Sequence, residues 1–276
     1  MLRLKGSDTR AFLQGTATQD IEQATPGRGT KTLFLTEKGR PVALAWVVIA
    51  PDHESAILIT DEGAGPGLRP HLERFRIMEN VEFEGPEAMP RLFGVAGPER
   101  DPLAEAIAAS ISGAMSVPAD PLSFLLLPPA TEPEALPSVV DRAVFQAWRL
   151  KVGIPLHGVD MDLERIATEL ALPDAIADKG CYVGQEVVAR TTHRGQVRRQ
   201  RVGFRFDWGG KAFPKGTELH AAGRASGFIT SVGREPGAAD GLGMGYVTPE
   251  AIEQNLDVLA VQGEKTTHLR LRSWPL

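Results

Sequence analysis

The residues best suited to chemistry lie in one short stretch, KGCYVGQE, at positions 179–186. It contains Cys181, the only cysteine among 276 residues. The pattern predicts a helix from about Gly184 to Arg194, so the cysteine precedes a helix N-terminus. Free backbone N–H groups and the helix dipole stabilise a thiolate at such a position, and the nearby Lys179 adds positive charge. These residues predict a partly exposed, activated thiol on a rigid turn.

The neighbours of the cysteine support that interpretation. Gly180 and Gly184 allow a sharp turn and a close approach of the backbone to a ligand. Gln185 and Glu186 fall in the first helical turn, where a carboxylate suits the dipole. The alternative is that the single cysteine is a small buried hydrophobe, the commonest state of a free cysteine. A polar, glycine-rich turn favours the functional interpretation, because a buried structural cysteine has no need of one.

The elements that must position this turn come mostly before it. Strands and helices alternate over residues 1–120, and this order predicts an α+β or α/β layered unit. Residues 30–50 read as two strands around a turn at 37–39, and GSDTRAFLQG reads as a short helix that stops at Gly15. A further helix is predicted before Gly153. Its inward face is expected to contain Val140, Val144, Trp148 and Lys151.

After Gly195 the pattern changes to short alternating strands separated by Gly and Pro turns. Val202, Phe204 and Phe206 alternate with arginines, which predicts a strand with one buried face. The absence of helical periodicity predicts a small antiparallel barrel or sandwich. We therefore place a domain boundary near residue 196, giving an α+β domain at 1–195 and a β-barrel domain at 196–276.

Composition limits the class of protein. A net charge of −5 argues against a surface that binds nucleic acid over its whole extent. One cysteine cannot form an internal disulfide, as expected in a reducing cytosol. The N-terminal residues contain no apolar signal core, and no apolar run reaches the ~20 residues of a membrane span. These features predict a soluble cytoplasmic protein with no membrane partner.

The stretch from residue 179, extended to KGCYVGQEVVAR and a following HRG, resembles the signature of the YgfZ-type folate-binding proteins. These form the iron–sulfur cluster assembly and repair branch of the glycine-cleavage T-protein, or aminomethyltransferase, superfamily. The segments GSDTRAFLQGTATQDI, FLTEKGRPVA and WRLKVGIP resemble further parts of that family. The residues that match the signature one by one are Lys179, Gly180, Cys181, Tyr182, Gly184, Gln185, Glu186 and Arg190.

The resemblance implies a T-protein-like α+β body of two interwoven subdomains with a central cavity and a C-terminal antiparallel β-barrel. It implies that the cavity holds tetrahydrofolate or a one-carbon folate derivative, with Arg149 on the helix that borders it. It also implies a role in maturing 4Fe–4S client proteins, including tRNA-modifying enzymes, without turnover in the usual enzymatic sense.

One position departs from the family pattern. Relatives usually have a glutamate that accepts hydrogen bonds from the pterin ring of folate, and this chain has Lys151 there. An ammonium only donates hydrogen bonds, so pterin recognition must differ. An inward-facing Lys151 needs an anionic partner, for which Asp20, Glu169 or the ligand itself are the candidates. The predicted folate-binding residues are therefore Arg149, Lys151, Glu169 and Asp20. The alternative is that the long stem of Lys151 carries the amine to solvent.

Other residues permit further interpretations. Positions 190–205 are rich in basic residues and contain no carboxylate, which suits contact with a glutamate tail, a phosphate or RNA. The plainer interpretation is a solvated basic surface. This segment contains Arg190, His193, Arg194, Arg198, Arg199, Arg201 and Arg205. His157 stands near three carboxylates without metal-ligand spacing, so we expect no metal site.

Three function classes remain open from the sequence. The first is a folate-dependent assembly or repair factor for iron–sulfur proteins. The second is a true aminomethyltransferase of the glycine-cleavage type. The third is an RNA- or tRNA-associated module that uses residues 190–205.

Overall fold

The computed structural model describes residues 1–84, 90–131, 136, 139–194, 197–210 and 213–276, with the side chains of 193 and 194 excepted. The predicted helix stop at Gly195 and the predicted boundary at residue 196 lie outside this part of the chain. So do the side chains of His193 and Arg194. None of the helices in the described part is both long and apolar enough to span a lipid bilayer.

Contacts divide the chain into two compact units, and both are discontinuous in sequence. Unit 1 contains residues 1–139 and 172–186, and unit 2 contains residues 140–171 and 187–276. The continuous domains 1–195 and 196–276 stay a prediction, and these units differ from them. Residues 140–171 group with the β-rich tail because a helix in that segment packs on its strands.

Unit 1 has a five-stranded antiparallel sheet in the order β2-β3-β4-β1-β5. Apolar residues of the sheet and its two helices form one core that includes Phe12, Leu13 and Leu72. Its elements are β1 (Leu2–Lys5), α1 (Thr9–Thr16), β2 (Gly29–Leu35), β3 (Pro41–Ile49), β4 (Ser55–Thr60), α2 (Gly65–Phe75) and β5 (Glu82–Glu84). The predicted hairpin of β2 and β3 is confirmed. Gly15 does not end α1, which continues to Thr16.

A second sheet of unit 1 contains three antiparallel strands in the order β6-β8-β7. The strands are β6 (Arg91–Ala96), β7 (Met115–Val117) and β8 (Leu122–Leu127), and helix α3 (Arg100–Ser110) packs on them. All six residues of β8 are buried, and the apolar run gives no alternation that would distinguish a strand from a helix.

Unit 2 contains a closed six-stranded antiparallel barrel in the order β10-β11-β12-β9-β14-β13. Its helices are α4 (Arg142–Val152), most of α5 (Gln185–Arg194) and the short α6 (Pro249–Glu253). The strands are β9 (Gln200–Asp207), β10 (Glu218–Ala221), β11 (Arg224–Gly233), β12 (Asp240–Val247), β13 (Val258–Gln262) and β14 (Lys265–Arg272). The predicted barrel is confirmed.

The barrel core follows from the alternation of β9. Val202, Phe204 and Phe206 are all buried among the residues that fill the barrel. Arg201, expected on the exposed face, is only 1% exposed. Its guanidinium donates to the carbonyl oxygens of Leu170 and Gly153 and stacks on an indole ring, contacts that allow a charged group to be buried.

The buried face of α4 is not the predicted one. Ala147 and Leu150 are buried, and Leu150 packs in a cluster with Leu242 and Met244 of β12. Val140 is 59% exposed, and the Lys151 side chain is 42% exposed. The predicted end of the helix is confirmed, because Gly153 caps it in the left-handed conformation at φ 83°.

Candidate functional site

The Cys181 turn, defined as residues 179–184, is held by carbonyl groups at the end of α1. The Lys179 ammonium donates to the carbonyl oxygen of Gln14, and the Val183 amide donates to that of Gly15 at 3.1 Å. The last carbonyls of a helix have no partner within the helix and must find donors elsewhere. The turn supplies these donors, so its attachment satisfies the carbonyl groups of Gln14 and Gly15 at the end of α1.

The amides that could otherwise reach these carbonyls belong to the residues four positions further on. The Thr18 amide donates instead to the Leu33 carbonyl, and the Gln19 amide donates to the Thr32 hydroxyl, both on β2. This role of Gln14 could not be predicted from the sequence, because any residue type has a backbone carbonyl.

A second attachment lies against the hairpin of β2 and β3. Gly184 has φ 84°, and a Cβ atom there would lie 2.6 Å from the Thr36 carbonyl oxygen. Only glycine fits, for reasons of backbone conformation and of space. The Gln185 side chain also donates to the Lys179 carbonyl at 3.4 Å, which ties the two ends of the turn together.

Cys181 is exposed, as predicted, and it precedes α5, which begins at Gln185. Two of the backbone amides that follow it in the chain are already engaged: that of Val183 with Gly15, and that of Gln185 with the Tyr182 carbonyl at 3.2 Å. These two groups are therefore not free to stabilise a thiolate. Within the signature, Gly180, Glu186 and Arg190 are also exposed.

Lys179 is half-buried, and its ammonium lies 5.5 Å from the centroid of the Tyr182 ring. Burial lowers the pKa of Lys179 to about 8, and the carboxylates of Asp20 and Glu22 oppose this shift in part. Burial also raises the pKa of Tyr182, so its phenol stays neutral through the range in which Lys179 titrates. The turn thus contains an amine that changes charge close to neutral pH.

Asp20 lies beside this turn and in a polar pocket of about 390 Å³ within unit 1. Its carboxylate accepts hydrogen bonds from the Gln14 side chain at 3.3 Å and from the Glu22 amide at 3.1 Å. The pocket is lined by Gln19, Asp20, Gln23, Ala24, Thr25, Arg28, Gly29, Thr30, Lys31, Asp120 and Asp174. Lys31 and Asp174 form an ion pair at 2.7 Å across it.

The pocket suits part of a folate and not all of it. Carboxylates such as Asp20 can accept the paired N–H groups of a pterin, and Arg28 can bind a glutamate carboxylate. Among the described lining residues, none has an aromatic ring on which a pterin could stack. The polar side chains of the pocket therefore fit the polar groups of a folate. A stacking surface for the pterin ring must come from residues outside the described lining.

Arg149, predicted to border folate, lies in a buried network of unit 2. Its guanidinium donates to Asp160 at 2.7 Å, to the Ile154 carbonyl at 3.1 Å and to the Ser231 hydroxyl at 2.7 Å. The Thr230 hydroxyl also donates to Asp160, at 2.6 Å. The Arg149 and Asp160 side chains are 1% and 0% exposed. These contacts leave Arg149 few N–H donors for a ligand. The sequence analysis did not identify Asp160 as the partner of Arg149.

Lys151 and Glu169 are placed differently from expectation. The Lys151 ammonium forms an ion pair with Glu235 at 2.8 Å, so the inward orientation and the suggested partners Asp20 and Glu169 were wrong. Glu169 is buried and accepts from the amide of Ile166 at 3.2 Å, at the start of its own 3₁₀ turn, Ala167–Leu170. A contact of any of these residues with folate stays a prediction.

The basic segment at 190–205 is only partly a surface. Arg190 and Arg198 are exposed, and Arg199 lies over the Phe228 ring at 5.5 Å. Arg201 is buried, which removes it from any binding surface, and Arg205 is half-buried. No group of three or more potential metal ligands occurs in the part of the chain that the structure describes.

The fold of the chain is that of a known class of protein. The chain superposes on the crystal structure of the glycine cleavage system aminomethyltransferase T from Bartonella henselae with a TM-score of 0.83. The superposition covers 99% of this chain and 82% of that one, at 18% identity. The chain therefore has the α+β fold of the glycine-cleavage T-proteins with a C-terminal six-stranded antiparallel β-barrel, as predicted.

Sequence comparison identifies relatives within that class, although no family model matches the chain. It is 25% identical over 242 residues to the mitochondrial iron–sulfur cluster assembly factor IBA57 homolog of Aspergillus oryzae, covering 72% of this chain and 54% of the other. It is 26% identical over 292 residues to human mitochondrial IBA57, covering 95% and 79%. The chain spans about half the length of the curated relatives it matches first. It is a distant homologue of the IBA57/YgfZ-type iron–sulfur assembly factors.

Proposed function

We propose that this chain supports the assembly or repair of 4Fe–4S proteins, and that Cys181 is its working thiol. The observation that carries the proposal is an exposed cysteine on a turn fixed at both ends, in a chain homologous to assembly factors. A fixed, solvent-accessible thiol can lose its proton and coordinate iron, because the thiolate is the form of cysteine that ligates metals. We also propose that the client proteins of this chain include tRNA-modifying enzymes.

The test is complementation of cells that lack the gene, read out as the activity of an endogenous 4Fe–4S enzyme. We expect Cys181→Ala to fold normally, with stability within about 0.5 kcal/mol of the parent, because the side chain is exposed. We expect it to fail to restore the enzyme activity. The matched control is Asp178→Ala, an exposed neighbour outside the signature, which should restore it. Full restoration by Cys181→Ala at equal protein level would refute the role of the thiol.

We further propose that the chain binds tetrahydrofolate or a one-carbon folate derivative. Support comes from the likeness to a T-protein fold and from the carboxylate and cationic groups around Asp20. Calorimetry with tetrahydrofolate tests this directly. Asp20→Asn should weaken binding about tenfold or more if its carboxylate accepts from the pterin, the scale of a hydrogen bond to a charged group. The exposed Asp52→Asn serves as the control.

The alternative function is aminomethyl transfer, favoured by the fold likeness and by a mitochondrial aminomethyltransferase among the distant sequence relatives. An assay of the glycine-cleavage exchange reaction separates it from the assembly role, since the assembly role predicts no turnover. Binding of RNA through residues 190–205 stays a prediction of the sequence. It has weaker support, because Arg201 is buried. Salt-dependent binding of tRNA at low micromolar concentration would support RNA binding through this segment.

A further inference from the structure

The side chain of Lys179 makes its described contacts with the end of α1 and with the Tyr182 ring. Its ammonium donates to the Gln14 carbonyl, lies against the Tyr182 ring, and is attracted by Asp20 and Glu22. Gln14, Asp20 and Glu22 belong to the surface on which the turn rests, and Tyr182 belongs to the turn itself. These contacts hold the Lys179 ammonium against that surface, and an electrostatic action of Lys179 on Cys181 stays a prediction.

Two orphan carbonyls at the end of α1 explain this arrangement. Thr18 and Gln19 direct their amides to β2, so Gln14 and Gly15 keep free carbonyl oxygens. Val183 supplies a backbone donor to one of them, and Lys179 supplies a side-chain donor to the other. These two bonds flank Cys181 in sequence and fix the backbone on both sides of it.

We propose that Lys179 is a positioning residue, which presents Cys181 by docking the turn onto the last carbonyls of α1 rather than by activating the thiol electrostatically. The inference rests on the proposed function, in which Cys181 is the working thiol. It deepens that function by stating what the lysine of the signature does. The experiment that tests it uses purified protein and no cluster enzyme, so its result is independent of complementation.

Two readouts on the full chain separate positioning from activation. The first is the rate of alkylation of Cys181 by iodoacetamide between pH 6 and 10, expressed relative to glutathione at each pH. The second is the hydrogen exchange of the peptide that contains Val183. The variants are Lys179→Met, which keeps the length and apolar stem, and Lys38→Met, a control at an exposed lysine of a turn.

For Lys179→Met we expect about tenfold faster exchange at Val183, the loss expected for one hydrogen bond to a charged donor. The limiting alkylation rate is the rate at high pH, where the thiol is fully ionised. We expect this rate to move towards that of glutathione, because a released turn exposes the thiol as a flexible peptide does. The midpoint of the pH profile should stay within about 0.3 of the parent value, a smaller change than one nearby charge produces. Lys38→Met should leave all three quantities unchanged.

A rise of about one pH unit in the midpoint of Lys179→Met, with unchanged exchange at Val183, would overturn the inference and restore the electrostatic role. An unchanged limiting rate would overturn it as well, since a residue that only adds stability does not alter presentation of the thiol. Tyr182→Leu provides a second variant if Lys179→Met does not fold. It removes the ring under the ammonium, and we expect a smaller increase in exchange at Val183. No increase would count against the proposal.

Discussion

At the scale of single residues, the Cys181 turn combines an exposed thiol with a half-buried amine. The thiol needs no protein partner, whereas the amine depends on the Gln14 carbonyl and the Tyr182 ring. The residue type and the spacing predicted the exposure of Cys181 correctly. They could not predict the direction of the Lys179 side chain, because that direction depends on where α1 ends and on which amides β2 has already taken.

The lowered pKa of Lys179 makes its contribution to stability depend on pH. The folded pKa of about 8 lies below the free value of 10.5, so the unfolded chain holds more protons between these pH values. Stability therefore rises with pH wherever the unfolded state binds more protons. We expect the free energy of unfolding of the parent to increase relative to Lys179→Met between pH 8 and 10.5, with a constant difference below pH 8.

Urea unfolding at pH 7, 8, 9 and 10 measures this difference. Lys38→Met, at an exposed position, should follow the parent at every pH. A parent whose stability falls relative to Lys179→Met over this range would show that burial does not dominate the environment of the amine.

At the scale of the element, α4 shows what periodicity could and could not predict. Its existence and its end at Gly153 were predicted from apolar spacing and from the left-handed cap that glycine favours. Its buried face was predicted wrongly, because a buried Arg149 looks like a surface residue in the sequence. The Asp160 side chain that allows the arginine to be buried lies eleven positions away on another segment.

The cap of α4 is also a packing position. Gly153 has φ 83°, and a Cβ atom there would lie 2.6 Å from the Trp274 ring. We expect Gly153→Ala to destabilise the protein by about 2–4 kcal/mol, as the sum of a left-handed backbone and an overpacked contact. Gly158→Ala is the matched control, since Gly158 has φ 72° with open space around it. It should cost roughly 1–2 kcal/mol. Equal losses in thermal or urea unfolding would exclude the packing contribution of Trp274.

Lys151 provides a test of the corrected helix face. Its ion pair with Glu235 is half-exposed, so we expect Lys151→Glu to cost about 1 kcal/mol or less in urea unfolding. Because the side chain is directed to solvent and to Glu235, we expect no tightening of tetrahydrofolate binding in calorimetry. A tenfold gain in affinity would show that this position reaches the ligand after all.

At the scale of the whole molecule, the fold class could be predicted and the compact units could not. The change of pattern after Gly195 identified the barrel, since strands signal themselves locally through alternation. The assignment of residues 140–171 to the same unit depends on the Arg149 network and on Leu150, Leu242 and Met244. Such long-range contacts leave no local pattern in the sequence.

This organisation predicts how fragments behave. Residues 140–276 contain Arg149 together with its hydrogen-bond partners, and they contain the Leu150 side chain that packs on Leu242 and Met244. We therefore expect this fragment to fold cooperatively. Residues 196–276 lack α4 and Asp160 and expose apolar residues of the barrel wall, so we expect a less stable or aggregating fragment. Amide dispersion in NMR spectra and urea unfolding compare the two. A shorter fragment as stable as the longer one would show that α4 contributes nothing to the barrel.

The discontinuity of the units also sets an order of events on the ribosome. Residues 140–171 leave the exit tunnel before any strand of the barrel does, so Arg149 and Asp160 emerge without Thr230 and Ser231. Unit 1 is complete as soon as residue 186 has emerged, because its last segment is the one that carries the Cys181 turn. Domains made first fold first. The nascent chain therefore displays its only thiol before any strand of the barrel has left the exit tunnel.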